Sequence, residues 1–220
     1  MAGVIHGAKQ RALDRSQTLV QPQADWFVLD ISSGESTEQA AVAHVGAAIG
    51  HSLTGAVLRV ARGNLQGPEP ICSASGKRLP FPDNTFDYVT WCYAARYYAD
   101  IMAVVREAAR VLKEGSALAV AERVVSGDST IARYVNTVER LRNPTHHWLY
   151  SLDDWEAFFL AAGLAVTHLE TLEQRHDFDE WAEQMRVSSD DIARLRVLLL
   201  RAPSYAREWL CPVRIGARLT

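Results

Sequence analysis

Strand-like and helix-like stretches alternate along the chain from residue 26 to about residue 170, and this alternation limits the fold more than any other feature. The stretch FDYVTWCY (86–93) is rich in aromatic and β-branched residues and follows the turn PDN, which is typical of a strand. ALAVAERV (117–124) and LAVTHLE (164–170) are predicted to form two further strands. Strands that alternate with helices predict an α/β fold, in which a mostly parallel sheet carries helices on both faces.

The stretches between and after these strands have the spacing of amphipathic helices. In ADIMAVVREAARVLKEG, apolar residues from Ile101 to Leu112 share one helical face, and Gly115 is the predicted end of the helix. In SLDDWEAFFLAAG, Ser151 and Asp154 are predicted to form a capping box. Further helices are predicted within DSTIARYVNTVERLRNP (128–144) and around residues 178–186 and 189–201, and CPVRIGARL (211–219) is predicted to be a last edge strand.

Length and composition narrow the class of protein. With 220 residues, 48% of them hydrophobic, the chain is expected to form one domain over residues 1–220, with residues 1–25 as an N-terminal helical extension. The first residues carry charges from position 9 onward and no long apolar run, so no signal peptide or membrane span is predicted and a cytoplasmic location is expected. A formal net charge of −3 gives no broad attraction for nucleic acid, and a small-molecule partner is expected instead. The three cysteines form no CxxC pair, which argues against a disulfide framework or a zinc knuckle.

The stretch VLDISSGESTEQA (28–40) resembles a ligand-binding turn but has only one glycine. A short apolar strand, residues 26–29, runs into Asp30, and a turn around Gly34 leads into an Ala-rich helix. Turns in which a strand feeds a helix N-terminus normally use several glycines, so that the backbone can approach the ligand. Serines at positions 32, 33 and 36 surround the single glycine of this turn, so the ligand site is expected to be altered.

Three segments in a fixed order carry a resemblance to a known family. LPFPDNTFDYVTW (79–91), REAARVLKEGSALAV (106–120) and NPTHHWLYSLDDWEAFFLAAGL (143–164) resemble the class I S-adenosylmethionine-dependent methyltransferases, particularly the ubiquinone and menaquinone C-methyltransferases. The resemblance spans roughly residues 26–185. It implies a Rossmann-like fold with a mostly parallel seven-stranded sheet, helices on both faces, and a small helical cap formed by residues 125–150 and 171–203.

The same resemblance assigns cofactor positions to this chain. In that family the first strand ends in an acid, here Asp30, and a glycine-rich turn follows, of which Gly34 is the middle glycine. Two further family positions carry acids that contact the ribose and the adenine. In this chain they match Ser52 and Ser75. If the matching is shifted by one or two residues, Glu69 or Glu35 would supply the acid instead.

These serines predict weak cofactor binding. Hydrogen bonds to a charged partner contribute about 1.5–3 kcal/mol each, so losing two carboxylates corresponds to about 3–6 kcal/mol, or roughly 10²–10⁴-fold in affinity. The β-carbons at positions 32 and 36, where the family has glycine, add crowding. The sequence-based expectation is therefore that S-adenosylmethionine binding is lost and that no cofactor is used.

Candidate site residues follow from the rule that open parallel sheets bind ligands beyond the carboxyl ends of their strands. A guanidinium there could hold a carboxylate or enolate-like oxygen, and a tyrosine hydroxyl could donate to a developing oxyanion. The resemblance places residues 145–150 in a segment that covers the substrate pocket, and a histidine in that segment could act as a base. For the tyrosines and histidines taken singly, packing or surface roles remain open alternatives, and no metal site is predicted. The predicted catalytic residues are Arg96, Tyr97, Tyr93, His146 and Glu122, and the predicted substrate contacts are Trp91, Tyr98, His147, Trp148 and Tyr150.

Three functions are compatible with the sequence. The first is a cofactor-independent catalyst of a cyclisation or rearrangement, which holds an apolar biosynthetic substrate in a reactive conformation. The second is an S-adenosylmethionine-dependent methyltransferase of small molecules. The third is a non-catalytic partner of an active enzyme, and a homodimer is left open in every case.

Overall fold

The computed structural model describes residues 15, 18–21, 23, 25–33, 56–61, 78–175, 178–183, 187–210 and 212–219. These residues form one sheet of six strands in the order β2-β1-β3-β4-β6-β5. Their bounds are β1 Val28–Ser33, β2 Ala56–Ala61, β3 Phe86–Cys92, β4 Leu112–Arg123, β5 His168–Arg175 and β6 Pro212–Leu219.

Helices follow or precede the strands, as the alternating pattern predicted. A short 3₁₀ turn, Ala95–Tyr97, lies after β3, and residues 18–20 of the predicted N-terminal extension are helical. The helices are α1 Ile101–Val111, α2 Ser129–Arg142, α3 Leu152–Ala161, α4 Phe178–Glu183, α5 Ser189–Leu200 and α6 Ser204–Leu210. Among the described residues no helix is long and apolar enough to cross a membrane.

The central strands are buried on both faces, which is what a sheet covered by helices on both sides requires. Val89 and Trp91 of β3 belong to the larger core, which they share with apolar residues of α1 and α3. Tyr88, between them in sequence, packs in a smaller cluster with Val28 and Ala119. This period of two places successive side chains of β3 in different core clusters, so the strand is fixed from both sides.

The strand directions agree in part with the expected parallel sheet. β3 runs parallel to both β1 and β4, and β5 points the same way because it and β4 are each antiparallel to β6. The second strand departs from expectation, because β2 is antiparallel to β1. Six strands are described, and the expected count of seven is not confirmed.

The end of the first long helix was predicted wrongly. α1 ends at Val111, not at Gly115, because the backbone N–H groups of Asn84 and Thr85 donate to the carbonyl oxygens of Arg110 and Val111 at 3.0 and 2.8 Å. The chain then turns extended, and Gly115 adopts a φ of +76° inside β4. The pairing of β3 with β4 is irregular between Phe86 and Tyr88, so this glycine lies at a bulge rather than at a helix end.

The C-terminal strands also differ from the sequence-based prediction. The fifth strand was predicted at residues 164–170 but is formed by His168–Arg175, so the first residues of the predicted cap segment 171–203 are strand. The last strand, β6, was predicted at the edge, but it lies between β4 and β5 and pairs with both. Its apolar residues alternate in sequence from Val213 to Leu219, which is typical of a strand in antiparallel pairing.

Candidate functional site

The candidate site lies where β3 and β4 end side by side. Trp91 and Cys92 pair with Val120 and Ala121, so the two carboxyl ends reach the same edge of the sheet. Tyr93, the first residue after β3, adopts a φ of +53°, and its N–H donates to the carbonyl of Ala121 at 3.0 Å. A non-glycine residue in the left-handed region is uncommon and turns the chain sharply, here from the strand into the 3₁₀ turn.

Glu122 anchors this turn from inside the core. Its Oε1 accepts hydrogen bonds from Nε1 of Trp91 and from the backbone N–H of Ala95, both at 2.7 Å. Burial raises the pKa of Glu122, while these two donors and the charge of Arg96 act in the opposite direction. The structure therefore places the predicted catalytic carboxylate where it holds the end of β3 to the 3₁₀ turn.

Arg96 and Tyr97 form a buried pair on the turn. Nη2 of Arg96 donates to the hydroxyl oxygen of Tyr97 at 3.0 Å, and the guanidinium lies 4.9 Å from the centre of the Tyr97 ring. The N–H of His147 donates to the carbonyl of Arg96 at 2.7 Å. The covering segment, residues 143–150, is thus attached directly to the turn that carries the predicted arginine.

The other aromatic candidates are divided between the site and the core. Trp91 is fully buried, with its ring 6.0 Å from Trp155 and 5.8 Å from Tyr98, so it is a core residue that reaches the site through Glu122. Burial raises the pKa values of Tyr93 and Tyr98, which keeps both hydroxyls protonated.

His146 is brought into the site and held there by a residue that the sequence analysis missed. Its ring Nε2 lies 2.8 Å from Oδ1 of Asn136, and its backbone N–H donates to the carbonyl of Asn143 at 2.9 Å. The same Oδ1 accepts the N–H of Leu149 at 2.6 Å. Burial lowers the pKa of His146 to about 3, so the imidazole is neutral near pH 7.

A buried ion triad lies next to His146, and the sequence analysis did not find it either. Glu139 of α2 accepts from Nη1 of Arg123 at 2.5 Å through Oε1, and from Nη2 of Arg142 at 3.1 Å through Oε2. Burial acts to raise the pKa of Glu139, but the charges of Arg123 and Arg142 outweigh it and lower that pKa. Nη1 of Arg142 also donates to the carbonyl of Trp181, which ties α2 to α4.

The other predicted site residues of the covering segment, His147, Trp148 and Tyr150, make contacts elsewhere. His147 is exposed, while the guanidinium of Arg140 lies 5.3 Å from the centre of the Trp148 ring and donates to the carbonyl of His147 at 2.8 Å. Tyr150 packs edge-on against Phe158 of α3 with ring centres 5.1 Å apart. The structure thus joins the segment that carries His146 to the turn that carries Arg96 through the N–H of His147, and it leaves Tyr150 against the core.

The cofactor positions lie almost entirely outside the described residues. Asp30 lies within β1, where it pairs with Arg59 of β2 and Thr90 of β3, so it precedes the strand end by three residues. Gly34, Ser52 and Ser75 are outside the part of the chain that the structure describes, as are the alternatives Glu35 and Glu69. No group of three potential metal ligands occurs within the described ranges.

One sequence signal could have revealed the missed residues. Asn136 and Glu139 each follow a valine of α2 that packs in a hydrophobic cluster, and both are themselves fully or almost fully buried. Polar residues that interrupt the apolar face of a helix are rarely buried without partners. Arg123, at the end of the apolar strand ALAVAERV, is the matching interruption in β4.

Comparison with known proteins gives consistent results. Residues 29–120 match the family described as a methyltransferase domain. The uncharacterized methyltransferase YcgJ of Bacillus subtilis is 32% identical over 194 residues, which cover 86% of this chain and 77% of that protein. The crystal structure of YcgJ has a TM-score of 0.74 to this chain, at 23% identity, with 96% and 95% of the two chains covered. A demethylmenaquinone methyltransferase of Corynebacterium urealyticum is 39% identical over 108 residues, 47% of this chain and 46% of that protein.

Proposed function

Since the chain belongs to the class I S-adenosylmethionine-dependent methyltransferase family, we propose that it transfers a methyl group from S-adenosylmethionine to a small organic molecule. The observation that carries this proposal is the extent of the relationship with YcgJ. The identity of 32% runs over 86% of the chain, so it is not confined to one motif. The Rossmann-like methyltransferase fold, which the resemblance implied, is confirmed by the superposition with the YcgJ structure.

This proposal replaces the sequence-based expectation that the cofactor has been lost. The relatives favour the methyltransferase, which was the alternative function, over a cofactor-independent cyclase. The serines at positions 32, 36, 52 and 75 remain departures from the family pattern. We propose that they weaken the hold on S-adenosylmethionine without abolishing it, because each serine hydroxyl can still offer one hydrogen bond.

The described part of the sheet fits a cofactor next to the candidate site. Ser32 of β1 pairs with Cys92, the last residue of β3, so the two strands end at the same edge. A ligand beyond the end of β1 would therefore lie beside the turn that begins at Tyr93. Asp30 and Gly34 are the residues that the family resemblance assigns to hold S-adenosylmethionine, which supplies an electrophilic methyl group when bound.

The substrate is proposed to lie over the ends of β3 and β4. The Arg96 guanidinium and the hydroxyls of Tyr93 and Tyr97 are buried polar groups, and such groups fix the orientation of a ligand in a small-molecule site. His146 is proposed to accept a hydrogen bond from the substrate, because its buried ring is neutral near pH 7. Glu122 is proposed to support the turn rather than to react, since its Oε1 is already engaged by two donors.

Isothermal titration of the purified protein with S-adenosylmethionine and S-adenosylhomocysteine tests this function. We expect a dissociation constant in the micromolar range or somewhat weaker. Gly34→Val, which adds a branched side chain in the predicted cofactor turn, should abolish binding. Gly127→Ala is the matched control, because an added β-carbon there meets only Oδ2 of Asp153 at 3.7 Å. If no heat of binding were detected up to millimolar ligand, the proposal would be overturned, and the cofactor-independent catalyst would become the preferred function.

A further inference from the structure

The Asn136 amide determines which nitrogen of His146 carries the proton. Nδ2 of Asn136 donates to the carbonyls of Ala132 at 2.9 Å and Leu149 at 3.3 Å, and Oδ1 accepts the Leu149 N–H. These three bonds fix the orientation of the amide, so the atom that faces His146 is an acceptor. Nε2 of His146 must therefore be the protonated nitrogen in the neutral ring, and Nδ1 carries a lone pair.

The lone pair of Nδ1 is buried and needs a donor. His146 is only 3% exposed, and Nδ1 has no hydrogen-bond partner within the part of the chain that the structure describes. A buried acceptor without a partner costs free energy, and such atoms in native structures point to a missing ligand or water.

Buried donors without partners accompany this acceptor. Nε of Arg123, Nδ2 of Asn143 and the hydroxyl of Tyr93 are all buried and have no hydrogen-bond partner among the described residues. The Asn143 amide is oriented, because its Oδ1 accepts from both the N–H and the hydroxyl of Thr145 at 3.1 and 2.7 Å. Arg123 binds Glu139, which lies one turn from Asn136 on α2, and the carbonyl of Asn143 accepts the backbone N–H of His146, so hydrogen bonds and α2 connect both side chains to His146 in one cluster.

We propose that this cluster is a binding site for a hydroxyl group of a small molecule, with Nδ1 of His146 as the acceptor of its hydrogen bond and Asn136 as the residue that positions the ring. A hydroxyl oxygen satisfies both kinds of unpartnered atom, since its O–H donates to Nδ1 and its lone pairs accept from the Arg123 or Asn143 donors. A carboxylate would leave the Nδ1 lone pair unpaired, and an ether oxygen would do the same.

The inference rests on the proposed function in one respect, which is that the hydroxyl belongs to the methyl acceptor. The hydrogen bond to Nδ1 would orient the hydroxyl oxygen, whose proton would leave to water when the oxygen is methylated. S-adenosylmethionine, when bound, would supply the methyl group, and that oxygen, or a carbon conjugated with it, would receive it. Binding of the hydroxyl and the state of the ring can both be measured without methyl transfer.

The ring state is tested by nuclear magnetic resonance of protein labelled with ¹⁵N-histidine, in which the His146 signals are assigned by their disappearance in His146→Gln. We expect an unprotonated Nδ1 and a slowly exchanging Nε2–H at neutral pH. In Asn136→Asp, which keeps an acceptor at this position, the Nε2–H signal should persist. In Asn136→Leu it should be lost to exchange. A wild-type ring protonated at Nδ1, or an Nε2–H signal that is unchanged in Asn136→Leu, would overturn the proposal.

The ligand class is tested with phenol and anisole as probes on the same labelled protein, without cofactor. The two molecules share an aromatic ring, but in anisole a methyl group replaces the hydroxyl proton. We expect phenol to shift the Nδ1 signal in a saturable manner and anisole to leave it unchanged. Equal shifts with both, or no shift with phenol, would refute a hydroxyl site. Because no S-adenosylmethionine is present, failure here is separate from failure of cofactor binding in the titration above.

Discussion

The indole Nε1 of Trp91, near the end of β3, donates a 2.7 Å hydrogen bond to Oε1 of Glu122, near the end of β4. The bond joins the core to the site, because the same oxygen also accepts the N–H of Ala95 in the 3₁₀ turn. Both donors are buried, so their hydrogen bonds cannot be replaced by water without opening the structure.

Glu122→Gln and Glu122→Leu should therefore differ in stability. The glutamine oxygen can accept both hydrogen bonds, whereas leucine leaves two buried N–H donors without a partner. We expect the free energy of unfolding of Glu122→Leu to lie about 2–4 kcal/mol below that of Glu122→Gln, as measured by urea denaturation. Equal stability of the two variants would mean that the carboxyl group does not anchor the turn.

Glu139→Gln should be among the most destabilising single changes in this chain. Glu139 is the shared partner of Arg123 and Arg142, and all three side chains are buried. Removing one member of a buried ion cluster leaves uncompensated charge, so we expect a loss of about 3–5 kcal/mol in the free energy of unfolding. Urea denaturation of the variant and the wild type measures this loss.

An exposed ion pair provides the control for that experiment. Arg194 and Asp191 of α5 form a 3.1 Å pair three residues apart, with the arginine side chain 70% exposed. Arg194→Gln should change the stability by less than about 0.5 kcal/mol. If Glu139→Gln cost no more than Arg194→Gln, the buried triad would have no structural role.

The sequence predicted which helices and strands form better than it predicted where they end. The capping box of Ser151 and Asp154 is confirmed, because it depends on two residues three apart, and each side chain accepts the backbone N–H of the other. The end of α1 was missed because the hydrogen bonds that stop it come from Asn84 and Thr85, which lie well before the helix in sequence. The position of β6 was missed for the same reason, since its neighbours β4 and β5 are set by tertiary pairing.

The site was predicted in the same partial way. Arg96 and His146 could be nominated because they follow a strand and lie in a covering segment. Asn136 and Arg123 stand out in the sequence only as polar interruptions of apolar stretches, and their partners could not be predicted, because these depend on tertiary packing that brings residues distant in sequence together.

The stability of the protein should depend on pH through His146. Burial lowers the pKa of this ring from 6.5 to about 3; Glu139 acts to raise that pKa, and Arg123, Arg96 and Arg140 act to lower it. The unfolded chain therefore binds a proton below pH 6.5 that the folded chain does not bind until about pH 3. The contribution of His146 is present above pH 6.5 and is lost as the pH falls, by roughly 2 kcal/mol between pH 7 and pH 5.

Urea denaturation at a series of pH values between 5 and 7 measures this dependence. His146→Gln should have a flatter profile than the wild type by about that amount. His147→Gln is the matched control, because its side chain is exposed, and it should keep the wild-type profile. If His146→Gln and the wild type lost stability in parallel, the ring would not be buried in its neutral form.

Ser52→Asp should strengthen cofactor binding. The family resemblance places a carboxylate at this position, where it contacts both ribose hydroxyls, and this chain has a serine. A charged hydrogen bond contributes about 1.5–3 kcal/mol, so we expect the dissociation constant for S-adenosylhomocysteine to fall roughly 10- to 100-fold. Ser189→Asp, which adds the same charge at an exposed position on α5, should leave the affinity unchanged in the same titration. An unaltered affinity in Ser52→Asp would show that the ribose is held by another residue, and Glu69 or Glu35 would then be the next position to substitute.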